Sequence, residues 1–209
     1  MVLLGLGTPG EEYAETRHNV GFLVLDAARR RWGRAPWVRR GSAEESTLRL
    51  GGARHRLVRP VVFMNRSGAV AAALLREGVD PRDLLVVLDD LDLPLGRLRI
   101  REGGGAGGHR GLASVLEATA PVTPARLRIG IGRPPEGGAV DHVLGEFSTG
   151  ERARFDAMLE RALEALELIL TRGVAAAMNA FNGRLAPWEE SGPPPAGRGL
   201  DSPAPGAAQ

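Results

Sequence analysis

Apolar and polar positions divide the chain into segments of two periodicities. Val2–Leu6 is a short apolar run ending at Gly5-Leu6-Gly7-Thr8-Pro9-Gly10, which predicts a buried strand running into a turn. Val20, Leu23, Val24, Ala27 and Ala28 then recur at helical spacing up to Trp32, so His18 and Asn19 sit at a helix entrance. Thr47–Leu50 and Arg54–Val58 flank Gly51-Gly52 and predict a hairpin, with Val61–Met64 continuing as an extended piece. Ser67 to Glu77 is alanine-rich and helical, and Ser67 suits an N-cap. Leu84–Leu88 is the most apolar run and is followed at once by Asp89-Asp90-Leu91-Asp92, predicting a central strand that delivers carboxylates at its carboxyl end. Leu98 and Ile100 alternate with Arg97, Arg99 and Arg101, as in a half-exposed strand, and Leu127, Ile129 and Ile131 alternate with Arg126, Arg128 and Gly130. Between these two strands a glycine-rich loop, Gly103–Gly111, feeds a helix from about Leu112. Glu151–Arg172 reads as a long amphipathic helix and Val174–Phe181 as a shorter one.

Strands separated by helices imply a mixed sheet covered on both faces by helices. In such folds sites collect beyond strand carboxyl ends. Gly7–His18, Met64-Asn65, Asp89–Asp92 and the glycine loop are therefore expected to converge. One domain is expected over residues 1–184, followed by a Pro/Gly/Ala-rich segment, 185–209, that contains Pro193-Pro194-Pro195 and reads as a disordered tail.

Composition narrows the chemistry. The 43% hydrophobic and 25% charged shares are those of an ordinary globular protein. All 27 Lys+Arg positions are arginine, which excludes Walker-type phosphate lysines, Schiff-base lysines and Ser-Lys dyads. The pI near 10.2 overstates basicity, because the net charge is only +2 and, with no Cys or Lys and one Tyr, few groups titrate above neutrality. With no cysteine there are no disulfides, thiol nucleophiles or cysteine-bound zinc. No apolar run approaches the ~18 residues of a membrane span, and Val2–Leu6 has neither the basic flank nor the length of a signal peptide. A cytoplasmic protein is expected.

Two stretches satisfy G-x-G-x-x-G, at Gly5–Gly10 and Gly103–Gly108, but the first has no helix beginning beside it and the second no acidic residue between Glu117 and Glu136 for a ribose hydroxyl. No nucleotide cofactor is expected. Asp89, Asp90 and Asp92 could hold a hard cation, but Leu91 and the Leu93-Pro94 step favour a turn that presents one carboxylate inward, so no metal is expected either. Among the histidines, His55 lies in an exposed-looking strand and His142 in a polar loop segment, which favours structural roles, while His109 in the glycine loop is open. His18 stands out, because a helix start favours neutral imidazole.

GLGTPGEEYAETRHNVGF, FMNRSG, DDLDLPLGRLRI, GGGAGGHRGL and RLRIGIGRP occur in the order and spacing of bacterial peptidyl-tRNA hydrolases, and the chain resembles that family. The resemblance implies a monomeric three-layer α/β/α domain with a mostly parallel sheet, and metal-free hydrolysis of the ester between a peptide and tRNA. By position, His18 matches the family's catalytic base, Asp89 the carboxylate that holds it, and Asn65 the asparagine at the substrate ester. Phe63 and Tyr13 match residues lining the crevice for the tRNA 3′ end, and Arg101 and Arg128 match basic residues that clamp the acceptor-stem 5′ phosphate. Thr8 stands where the family usually has the Asn implicated in telling blocked from free aminoacyl-tRNA. Arg110 stands where Asn is common, and it cannot accept a hydrogen bond but can grip RNA phosphate. The alternative reading is an RNA-binding homologue with lost or altered hydrolysis.

Overall fold

The computed structural model describes residues 1–134, 138–186 and 188. Seven strands form one sheet: β1 (Val2–Gly5), β2 (Val38–Arg40), β3 (Ala43–Leu50), β4 (Ala53–Pro60), β5 (Leu84–Asp90), β6 (Leu98–Arg101) and β7 (Ala125–Gly130), in the order β2-β3-β4-β1-β5-β7-β6. β4, β1, β5 and β7 are mutually parallel, while β3 and β6 run against their neighbours, so the sheet is mixed with a parallel centre. Six helices accompany it: α1 (Val20–Trp32), α2 (Ser67–Arg76), α3 (Arg110–Thr119), α4 (Ala139–Leu144), α5 (Arg152–Arg172) and α6 (Val174–Phe181).

The alternation of side chains along each central strand feeds two cores. Leu3, Leu85, Val87, Leu127 and Ile129 pack with α1, α5 and α6, whereas Val2, Leu4, Leu84, Val86 and Leu88 pack with α2 and α3. This is the three-layer α/β/α arrangement expected. Every residue of β5 is buried, which explains its unbroken apolar run: a parallel strand covered on both faces has no solvent side to mark with polar residues.

Burial on both faces also overturns several expectations. His55 is 4% exposed, not a surface residue, because β4 lies between β3 and β1; its Nε2 is 3.2 Å from the Leu50 carbonyl. Arg126, one of the polar partners in the alternating pattern of β7, is 1% exposed. His142 lies in α4 rather than a loop, with Nε2 3.2 Å from the Ile131 carbonyl. Val61–Met64 is not a strand but leads into a 3₁₀ turn at Met64–Arg66, and Ser67 does not cap α2, since its hydroxyl donates back to the Met64 carbonyl. Just past residue 184, Ala186 is buried and the Trp188 ring covers Gly96. The rest of the proline-rich segment, 189–209, lies outside the described residues.

β1 and β5 are parallel neighbours whose following connections leave toward opposite sides of the sheet, β1 toward β2–β4 and β5 toward β6–β7. Their carboxyl ends form the crevice at which α/β sheets present ligand-binding groups. At that crevice Gly21, in the first turn of α1, lies so close to the strands that a Cβ there would sit 2.4 Å from the Leu6 carbonyl oxygen and 2.5 Å from that of Val87.

Candidate active site

His18 occupies the middle of a 3₁₀ turn, Arg17–Asn19, immediately before α1, and both neighbours in the chain are pinned. Arg17 is buried, donates from Nη1 to the Glu146 carbonyl at 2.6 Å and from Nη2 to Glu151 at 2.8 Å, and stacks over Phe147. Asn19 is 2% exposed and uses its whole amide: Oδ1 accepts from Thr8 N at 2.6 Å, and Nδ2 donates to the carbonyls of Thr8 and Tyr13 at 2.9 and 2.7 Å. The Gly7–Tyr13 loop and the His18 turn are thus tied into one unit. A side chain built on such a fixed backbone loses little further freedom when it is oriented.

His18 Nδ1 lies 3.0 Å from both carboxylate oxygens of Asp89, at the carboxyl end of β5. Since a carboxylate only accepts, Nδ1 carries the hydrogen in the neutral ring and Nε2 is the basic nitrogen. His109 reaches the same carboxylate from the other side, with Nε2 3.0 Å from Asp89 Oδ1. The Leu112 N–H donates to His109 Nδ1 at 3.1 Å, which places that ring's hydrogen on Nε2, pointing at Asp89. Two imidazole N–H groups therefore converge on one carboxylate, their rings 5.1 Å apart. Burial by itself would raise the Asp89 pKa, but neighbouring His109, then His18, hold the carboxyl far below the usual carboxylate range. An ionised, 3%-exposed Asp89 fixes the tautomer of His18 and can stabilise positive charge on it.

His18, Asp89 and His109 are close enough for their ligand atoms to surround a cation. Their nitrogens are already engaged, however: His18 Nδ1 and His109 Nε2 face the carboxylate, and His109 Nδ1 is capped by a backbone N–H. The acidic run does not act as one cluster. Asp90 Oδ1 accepts from Asp92 N and its Oδ2 faces Arg128 Nε at 3.0 Å, while Asp92 pairs with Arg133.

The expected substrate residues lie on segments adjoining those that carry this centre. Phe63 is 72% exposed, Asn65 is exposed on the Met64–Arg66 turn, and that turn packs on α3, where Met64 fills the space beside Gly111. Arg110, the first residue of α3, is exposed next to His109. Tyr13 and Thr8 are half-buried in the loop held by Asn19. The contacts described bring His18 and Asp89 together, while Asn65, Phe63 and Arg110 sit on neighbouring elements without a bond to either. Arg101 and Arg128 share one face of the β6–β7 ladder, in which Arg99 pairs with Arg128 and Arg101 with Arg126. Directly opposed like charges destabilise a bare sheet.

The sequence profile of the family described as Peptidyl-tRNA hydrolase matches residues 2–189. The chain belongs to the peptidyl-tRNA hydrolase family. A peptidyl-tRNA hydrolase of Synechococcus sp. (strain JA-3-3Ab) is 47% identical over 197 residues, 92% of this chain and 85% of its relative. That of Syntrophomonas wolfei is 44% identical over 87% of this chain and 99% of the relative. The crystal structure of peptidyl-tRNA hydrolase from Acinetobacter baumannii superposes with a TM-score of 0.80 at 34% identity, covering 87% of this chain and 94% of that one. The fold expected from the sequence is thus that of solved members of the family.

Three residues of this family member were missed or left open by sequence reasoning. His109 was undecided, yet it is the second imidazole on Asp89. Asn19 was placed only at the helix entrance, although it organises the preceding loop. Arg126 was read as one polar position in an alternating strand, and it lies beneath the glycine loop, donating from Nη1 to the carbonyls of Gly104 and Gly105 at 2.8 and 3.0 Å. Burial, followed by repulsion from Arg128 and Arg101, makes its guanidinium less basic than usual. No local signal marks this role, because the glycines whose carbonyls Arg126 binds lie 22 and 21 residues earlier in the chain.

Proposed function

We propose that this protein hydrolyses the ester joining a peptide, or an N-blocked amino acid, to tRNA. His18 Nε2 takes a proton from water as the water attacks the ester carbonyl, and Asp89 holds the ring and stabilises the imidazolium that forms. The observation that carries the reading is the His18–Asp89 contact, made by residues 71 apart in the chain and meeting at the carboxyl end of β5. The developing oxyanion is met by the Asn65 amide and nearby backbone N–H groups. Phe63 and Tyr13 hold the 3′ end of the tRNA, and Arg101 and Arg128 bind the acceptor-stem 5′ phosphate, a task suited to the planar guanidinium fork. Thr8 and Arg110 set the preference for blocked over free amines and the grip on the RNA strand. The protein works as a cytoplasmic monomer; among the described residues no helix is long and apolar enough to cross a membrane.

The test is release of acetylated amino acid from N-acetylaminoacyl-tRNA by the purified protein, with free aminoacyl-tRNA as control. His18→Ala is expected to lower kcat by about 10²–10⁴-fold, the usual contribution of a general base. Near-normal turnover by His18→Ala eliminates the mechanism.

A further inference from the structure

Arg126 is a buried cation with an unusual set of partners. Nη1 is satisfied by the carbonyls of Gly104 and Gly105, but Nε and Nη2 are buried without a hydrogen-bond partner among the described residues. The charged groups bearing on it are Arg128 and Arg101, both of its own sign, although Arg128 is itself paired with Asp90 at 3.0 Å through Nε. A buried guanidinium surrounded by like charge is unfavourable unless an anion joins it.

The loop above Arg126 leads directly to the chemistry. Gly104, Gly107 and Gly108 adopt positive φ of 108°, 59° and 79°, so the loop relies on a backbone that side chains rarely allow and has little packing of its own. Arg126 grips its first half, and the Arg128 guanidinium lies against its second half, 2.8 Å from where a Cβ on Gly107 would stand. His109, which follows Gly108 directly and caps α3, bonds Asp89. Two adjacent arginines on β7 therefore touch the segment that delivers the second imidazole to the catalytic carboxylate.

We propose that Arg126 is a positioning residue through which a phosphate held by Arg101 and Arg128 sets the conformation of the glycine loop, and with it the His109–Asp89 hydrogen bond. The inference rests on the reading of Arg101 and Arg128 as the 5′-phosphate site. A bound phosphate dianion neutralises the repulsion that remains once Asp90 has paired with Arg128, so that Arg126 keeps its grip on Gly104 and Gly105 and Arg128 its place against Gly107. Without the anion, that repulsion works against the loop. Phosphate recognition on β6–β7 thereby raises turnover as well as affinity.

The experiment compares two RNA minihelices that carry an N-acetylaminoacyl ester and differ only in a 5′-phosphate or a 5′-hydroxyl. In the wild type, removing the phosphate is expected to lower kcat about tenfold, the scale of one charge-assisted hydrogen bond, in addition to raising KM. In Arg126→Gln the response of kcat to the phosphate disappears while the response of KM, carried by Arg101 and Arg128, persists; Arg126→Lys recovers part of the kcat response. A wild-type kcat indifferent to the phosphate, or an Arg126→Gln enzyme with the full wild-type response, overturns the proposal. Should Arg126→Gln fail to fold, the ¹⁵N imidazole signals of His109 in the wild-type protein decide: they are expected to shift with the 5′-phosphorylated RNA and not with the 5′-hydroxyl RNA, and identical spectra overturn it. A wild-type KM unaffected by the phosphate overturns instead the parent reading of Arg101 and Arg128.

Discussion

The end of β5 and the β6–β7 ladder are neighbouring regions built on opposite electrostatic plans. At the first, one buried carboxylate is matched by two imidazoles, each with its tautomer fixed by a further hydrogen bond or by the carboxylate itself. At the second, arginines oppose one another across the strands, with Arg128 paired to Asp90 and Arg126 answered only by carbonyls. In the function proposed, the contrast separates two tasks. Proton transfer needs a group whose orientation and charge are set before substrate arrives. Capture of a polyanion needs positive potential that the protein has not already neutralised.

After the loss expected of His18→Ala, the largest effect expected from breaking the first region is that of Asp89→Asn. Replacing the charge with an amide removes a charge-assisted bond and frees the His18 tautomer, and kcat should fall about 10²-fold with little change in KM. Steady-state kinetics on N-acetylaminoacyl-tRNA measure this, and a change confined to KM would place Asp89 in binding instead. A smaller effect is expected from the second region: Arg101→Gln should raise KM several-fold and reduce the slope of log affinity against log salt by about 1. An unchanged salt slope would mean that Arg101 meets no phosphate.

The smallest effect concerns neither region and serves as a reference for both. Burial chiefly, with the N-terminal ammonium adding to it and the Leu50 carbonyl opposing it, lowers the pKa of His55 below its ordinary 6.5. The sign follows from linkage: the unfolded chain takes up the proton first, so the stability His55 provides is complete above pH 6.5 and is lost as pH falls through the lower folded value. His55→Gln is expected to flatten the dependence of Tm on pH just below 6.5 while leaving hydrolysis unchanged. Asp89, whose folded pKa is also depressed, loses its contribution only at pH below its ordinary 3.8, so the two acid effects separate on one titration.

How much of this was legible in the sequence depended on what each pattern reports. Apolar runs identify strands covered on both faces, and Leu84–Leu88 and Val2–Leu6 were placed accordingly. Val174–Phe181 was found at its observed bounds because Gly173 and the apolar run mark both ends. Alternation says only that two faces differ, and it cannot say that the polar face is open; Arg126 and His55 were misjudged for that reason. The His18–Asp89 pair was foreseen through family resemblance, whereas the convergence of His109 on the same oxygen depends on the path of a glycine loop that has no apolar periodicity to read. Asn19 belongs to the same class, since a buried amide becomes recognisable only when its three partners are in place.

The close approach of α1 to the sheet at Gly21 ties the reaction centre to the packing of the protein as a whole. Since the helix rests on the carbonyls of Leu6 and Val87 with no room for one methyl group, the spacing between the His18 ring three residues upstream and its carboxylate on β5 is gauged by bare backbone. Backbone atoms do not change rotamer, so the imidazole is held at a separation that thermal repacking of the surrounding leucines leaves untouched.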